Sequence, residues 1–138
     1  MKFLPDTNAL SLHMRGSDPA LSARMRDAIA QDEFIFSFVV YAELSFGAEK
    51  ALLTGERRPL DRLRRLGESL PVAPLSGEVA EAYGKLRARL EKRGERIGNM
   101  DILLGAHALA LNAVIITHNV REFFRIPGLA VEDWQQDA

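Results

Sequence analysis

The chain has 138 residues, 47% of them apolar and 27% charged, with a formal net charge of −1. That length suits one domain with a single buried core, and the composition disfavours a disordered chain. No stretch reaches the roughly 18 apolar residues that a membrane helix needs, and the absence of cysteine removes disulfides, thiolate catalysis and Cys-ligated zinc.

Lys2 to Pro5 reads as a short first strand, followed by a turn and helix from Thr7 to Arg15. The opening MKFLPDTN meets a charge and a turn signal too soon for a signal peptide, so a cytoplasmic location is expected. Ser17-Asp18-Pro19 is a cap with proline at the first helical position, opening a helix to Ala30. Phe34 to Phe38 forms a compact apolar second strand, and a helix runs from about Val39 until Gly55 ends it. Leu60, Leu63, Leu66 and Leu70 recur at spacings of three and four, which marks one helical stripe. Pro71 to Leu75 holds a third strand. Ser76 caps a helix through Arg93 with Gly94 as its stop. Asn99 is expected to cap a helix from Met100 to Leu111, which Asn112 terminates. Val114 to Ile116 makes a buried fourth strand and Leu129 to Glu132 a fifth. Strands separated by helices point to a parallel sheet between helical layers.

Three acidic residues fall where a strand hands over to a helix or a helix begins: Asp6, Glu43 and Asp101. A parallel α/β sheet gathers the carboxyl ends of its strands along one edge, so residues distant in sequence converge there. Carboxylates brought together without basic partners repel one another until a cation such as Mg²⁺ neutralises them. Each also has a plainer reading. Asp6 suits a helix cap, Glu43 the polar face of an amphipathic helix, and Asp101 the first turn of a helix, where the macrodipole favours any acid. Their joint placement at the ends of elements of one sheet favours a site.

Other constellations are weak. His13, His107 and His118 lack metal-ligand spacing, with His107 better read as a helix-face residue. There is no nucleophile elbow, Walker loop or dinucleotide glycine fingerprint. Basic residues cluster at Arg57, Arg58, Arg62, Arg64 and Arg65 and again from Lys85 to Arg96. They read either as solvated helix faces or as a polyanion track beside the acidic crevice. Leu12, Met14, Leu44, Phe46, Leu52 and Leu53 fit either core packing or a groove for a partner segment. Trp134 fits either the sheet edge or an interface.

DTN at Asp6 to Asn8, AEL around Glu43 followed by FGAEK, IGNMD ending at Asp101 with ILLGAHALAL after it, and VIITHNVREF leading to PGLAVEDW together resemble a PIN-domain ribonuclease. More narrowly, the chain is similar to the VapC-type toxins of bacterial toxin-antitoxin pairs, and the likeness covers nearly its whole length. The resemblance implies a single PIN domain over residues 1–138, a three-layer α/β sandwich whose short parallel sheet of four to five strands is flanked by helices. It implies an endoribonuclease dependent on Mg²⁺ or Mn²⁺, usually a homodimer, held inactive by a cognate VapB-type antitoxin. Asp6, Glu43 and Asp101 match the family's acidic triad as metal ligands, and its fourth acidic position falls on Asn119. An amide there can still hydrogen-bond a ligating carboxylate. Thr7, Asn8 and Thr117 match polar positions that orient the acids. Pro5 departs from the pattern, removing a ladder donor beside Asp6.

The implied mechanism is hydrolysis of an RNA phosphodiester by cation-activated water, leaving a 5′-phosphate. Single-stranded or looped RNA is the natural substrate, since its backbone can bend into a crevice. The FGAEK and VREF to EDW blocks resemble the branch that cuts the anticodon stem-loop of initiator tRNA. Two other readings stand beside this one. One is a PIN-like RNA-binding or dimerisation module whose site is weakened by Pro5 and Asn119. The other is a receiver-type α/β domain, for which the paired acid near the start is missing.

Overall fold

A computed structural model describes residues 1–135, so residues 136–138 of the expected domain lie outside the described residues. The elements in chain order are β1 (Lys2–Pro5), α1 (Thr7–Arg15), α2 (Pro19–Ala30), β2 (Phe36–Ser37), α3 (Phe38–Leu53) and α4 (Arg58–Ser69), then β3 (Val72–Ala73), α5 (Gly77–Lys92), α6 (Asn99–Ala110), β4 (Ala113–Ile116), α7 (Val120–Phe123) and β5 (Ala130–Glu132). One parallel ladder runs β1-β4-β5 and a second pairs β2 with β3. The Phe3 amide donates to the Glu33 carbonyl at 2.7 Å and the Ile35 amide to the Phe3 carbonyl at 2.8 Å, joining the ladders. The five strands therefore run β3-β2-β1-β4-β5, as the expected short parallel sheet.

Side chains alternate across the pleat, and the sheet buries both faces. Leu4 and Ile115 point into the larger cluster with Phe36, Val40 and Leu104. Val114 and Ile116 point the other way, against Leu21 and Met25 of α2. All four residues of β4 are buried, as suits a central parallel strand. Each buried isoleucine of this strand contributes about 1.5–3 kcal/mol. Trp134 closes the second cluster: its ring lies 5.0 Å from Phe3, Arg24 stacks 4.5 Å above it, and its Nε1 donates to Glu132.

Several elements differ from the expectation, among them β3, which is cut to two residues, and three differences have a local reason. The second strand is shorter than Phe34–Phe38 because buried Ser37 accepts from the Val39 amide at 3.1 Å and starts α3 one residue early. Asn99 is the first residue of α6 and not its cap; Gly98 holds the cap position, with no side-chain cap bond. Helix α7 was not anticipated, since four residues are too few for a periodic signal. His107 is fully buried. Its Nδ1 is hydrogen-bonded to Ser37 Oγ at 2.8 Å, the same oxygen that accepts from the Val39 amide. Burial pushes the imidazole pKa down, the Pro74 carbonyl acting in the opposite direction. Neutral His107 thus fastens α6 to the start of α3.

Two glycines give a paired test. A Cβ on Gly105 of α6 would meet Ile126 Cδ1 at 2.6 Å, whereas one on Gly84 of α5 meets nothing within 4 Å. Urea denaturation is expected to show Gly84→Ala stabilised by up to about 1 kcal/mol and Gly105→Val destabilised by about 1–3 kcal/mol. The reverse order would contradict this packing of α6.

Candidate active site

The β1–β4 ladder places the site. Register pairs Pro5 with Ile116, and the Asp6 amide continues the ladder by donating to the Ile116 carbonyl at 2.9 Å. Along β1 the amides alternate direction. Phe3 donates toward β2 and Asp6 toward β4, so the donor that Pro5 lacks would face β2. The departure at Pro5 therefore leaves the backbone bond that seats Asp6 intact.

Asp6 does two jobs with two oxygens. Oδ1 accepts from the Ala9 amide at 2.8 Å, capping α1, and Oδ2 accepts from Thr117 Oγ1 at 2.6 Å. The cap reading holds for this residue, and each carboxylate oxygen keeps a second lone pair to offer. Thr117, buried at the end of β4, also accepts from the Asn119 amide at 2.9 Å, which shapes the turn into α7. Thr7, the first residue of α1, donates to Glu43 Oε1 at 2.6 Å. Asn8 is exposed and lines the adjoining cleft without bonding an acid.

Asp101 stands in the first turn of α6, half-buried. Burial and then the charges of Glu122, Glu43 and Asp6 raise its pKa to about 6. Asp6 is raised as well, chiefly by burial, with Glu43 and Asp133 adding to the shift and the bonds from Thr117 and Ala9 opposing it. Asp101 thus lies within electrostatic reach of both other predicted acids. Among the described residues, no three carboxylates, thiolates or imidazoles close on one point as a ready-made cage. An oxygen-lined crevice of this kind still suits a hard cation that keeps several of its waters.

Glu122 of α7 was not among the predicted residues. Its carboxyl lies within hydrogen-bond reach of Asp101, it accepts from the Gly98 amide at 3.3 Å, and Asn119 Nδ2 donates to its other oxygen. The amide at position 119 therefore orients an acid three residues on, one helical turn away. That spacing, from Asn119 to Glu122 in NVREF, was the available signal. His118 also pairs with Asp133 at 2.9 Å beside this edge.

Clustered acids with raised pKa values oppose folding once they ionise. Asp101 keeps its proton to about pH 6 when folded and loses it near 3.8 when unfolded, so stability falls as pH rises between these values and levels off above. Asp101→Asn is expected to raise the melting temperature at pH 7.5 in chelator and to leave it nearly unchanged at pH 3.5. A variant less stable than the parent at pH 7.5 would contradict the crowding of charge.

Comparison with known proteins agrees with this geometry. The PIN-domain family profile matches residues 3–129. Ribonuclease VapC1 of Haemophilus influenzae strain R2866 is 35% identical over 134 residues, covering 97% of this chain and 98% of that protein. The tRNA(fMet)-specific endonuclease VapC of Shigella flexneri is 33% identical over the same shares. Among solved structures, VapBC2 of Rickettsia felis bound to a promoter DNA fragment superposes with a TM-score of 0.88 at 29% identity, over 98% of this chain and all of that one. DNA-bound VapBC of Salmonella typhimurium gives 0.86 at 30% identity, covering 97% and 98% of the two chains. The chain belongs to the PIN-domain family, among the VapC ribonucleases.

Proposed function

We propose that the chain is the toxin of a type II toxin-antitoxin pair, an endoribonuclease dependent on Mg²⁺ or Mn²⁺ that cuts a structured tRNA loop. The observation that carries this reading is the gathering of Asp6, Glu43 and Glu122 within electrostatic reach of Asp101, which is raised to about 6, with no arginine or lysine bonded to any of the four among the described residues. Such a donor set suits a hard divalent cation, which supplies Lewis acidity toward the phosphate and an acidified water as nucleophile. Asp6, Glu43 and Asp101 would hold it. Thr117 and Thr7 aim the carboxylates of Asp6 and Glu43, and Asn119 aims Glu122, which stands beside Asp101. No side chain needs to serve as nucleophile.

The names of the relatives support the substrate and partner. Cleavage in the anticodon loop of initiator tRNA follows the activity named for the Shigella flexneri protein, and a VapB-type antitoxin follows the VapBC complexes. A homodimer and residence in the cytoplasm belong to the same reading. No helix among the described residues is long and apolar enough to cross a membrane.

Total bacterial RNA incubated with the protein and Mg²⁺ is expected to yield new 5′-phosphate ends confined to one tRNA loop, and none with Asp101→Asn. Thr117→Val, which removes an orienting bond, is expected to slow cleavage by about 10–100-fold. Ends scattered over messenger RNA with tRNA intact would refute the tRNA assignment, and undiminished cleavage by Asp101→Asn would refute the site.

A further inference from the structure

A cleft of about 270 Å³ opens directly from the acidic crevice between α1, α3 and α4. It is lined by Thr7 and Glu43, the bonded pair of the site, and also by Arg15 and Arg62. Arg62 also lines the next depression along the surface, together with His13 and Arg65. One cleft therefore carries a carboxylate of the site, two arginines and an apolar lining of Met14, Leu44 and Leu63, and through Met14 and Arg62 it shares its lining with the next depression.

The five arginines of α4 and its approach are not equivalent. Arg57 pairs with Asp61 and Arg58 with Glu56. Arg64 lines a cavity on the other side of the helix with Glu49 and Glu68. Arg62 and Arg65, three residues apart, share the face turned toward α1 and take part in none of the ion pairs of the described residues. Glu56 is held down chiefly by its bonds to Arg58, with only a small contribution from the charge of Arg62. The partly buried Arg62 thus keeps its donors for a ligand. A guanidinium presents a planar fork that matches phosphate oxygens.

We propose that the RNA strand runs through this cleft, with the phosphates adjoining the scissile one held by Arg15 and Arg62 and the next by Arg65. This rests on the nuclease reading and adds the path of the substrate to it. Arg62 acts as a positioning residue: it fixes which phosphate reaches the carboxylates, and the apolar wall receives the face of an intervening ribose or base. A single strand fits such a groove because the phosphates on either side of the cut can bend apart from a stacked duplex. In the second basic run Arg87 is bonded to Tyr83 and Glu91, and Arg93 to the Arg125 carbonyl.

The test measures binding apart from cleavage. A short fluorescein-labelled single-stranded RNA is titrated with the full chain in EDTA, by anisotropy, over a series of salt concentrations. Arg62→Ala is expected to weaken binding and to reduce the salt slope by about 0.7, the single-strand value for one phosphate contact, while Arg64→Ala leaves both unchanged. Arg62→Lys is expected to restore the slope. In Mg²⁺, Arg62→Ala is expected to raise KM more than it lowers kcat. Should the chain bind RNA with this dependence yet cut nothing, the path stands and the nuclease reading falls. Equal effects of Arg62→Ala and Arg64→Ala, no effect of either, no RNA binding by the parent, or the same Arg62 dependence for poly-glutamate in place of RNA would each overturn the path.

Discussion

The pairing of β1 with β4 is the constraint on which the site depends. It brings Asp6 beside Thr117 across 111 positions of sequence, in a 2.6 Å bond between buried partners, and it does so through the backbone bonds of a parallel ladder. From that edge the rest is assembled in short steps. Thr7 follows Asp6 and reaches Glu43 on α3. Asn119 follows Thr117 by two positions and reaches Glu122 on α7. His107 and Ser37 tie α6, which carries Asp101, to the start of the helix that carries Glu43. A small slip of either strand would separate all of these groups together.

The crevice so formed is poorly suited to an empty existence. Asp6 and Asp101 are both pushed above the ordinary carboxylate range, first by burial and then by neighbouring acids. Threonine and amide donors soften this without cancelling it, since a neutral donor stabilises a carboxylate less than a cation does. The arrangement makes sense as a site that exchanges protons for a divalent cation, with ligand affinity and pH linked. The neighbouring arginines Arg15 and Arg62 line the adjoining cleft and bond none of these acids among the described residues.

Much of this was legible in the residues. The acids at strand and helix ends, the caps Asp18 and Ser76 and the stops at Gly94 and Asn112 all act through short-range chemistry that a sequence displays. Glu122 was not legible, because its role comes from a helix of four residues and from a contact with Asp101 across 21 positions. The split among the arginines was hidden for the same reason: which face of α4 turns toward α1 is decided by packing, and charge counting sees only a run. Pro5 read as a perturbation because sequence shows a missing donor without showing the side on which it is missing. Asn119 was expected to offer its amide to a carboxylate, and it does so, though the acid it bonds is Glu122.

The central claim is that these carboxylates bind a divalent cation in exchange for protons. The most direct test is calorimetric titration of Mn²⁺ at pH 6 and pH 8, each in two buffers of different ionisation enthalpy. Cation binding at pH 6 should release a substantial fraction of one proton, because Asp101 is near half-protonated there, and the release should fade at pH 8. Asp101→Asn should bind more weakly and lose that release. Mn²⁺ binding with no proton release at pH 6, or binding unchanged in Asp101→Asn, would contradict the account.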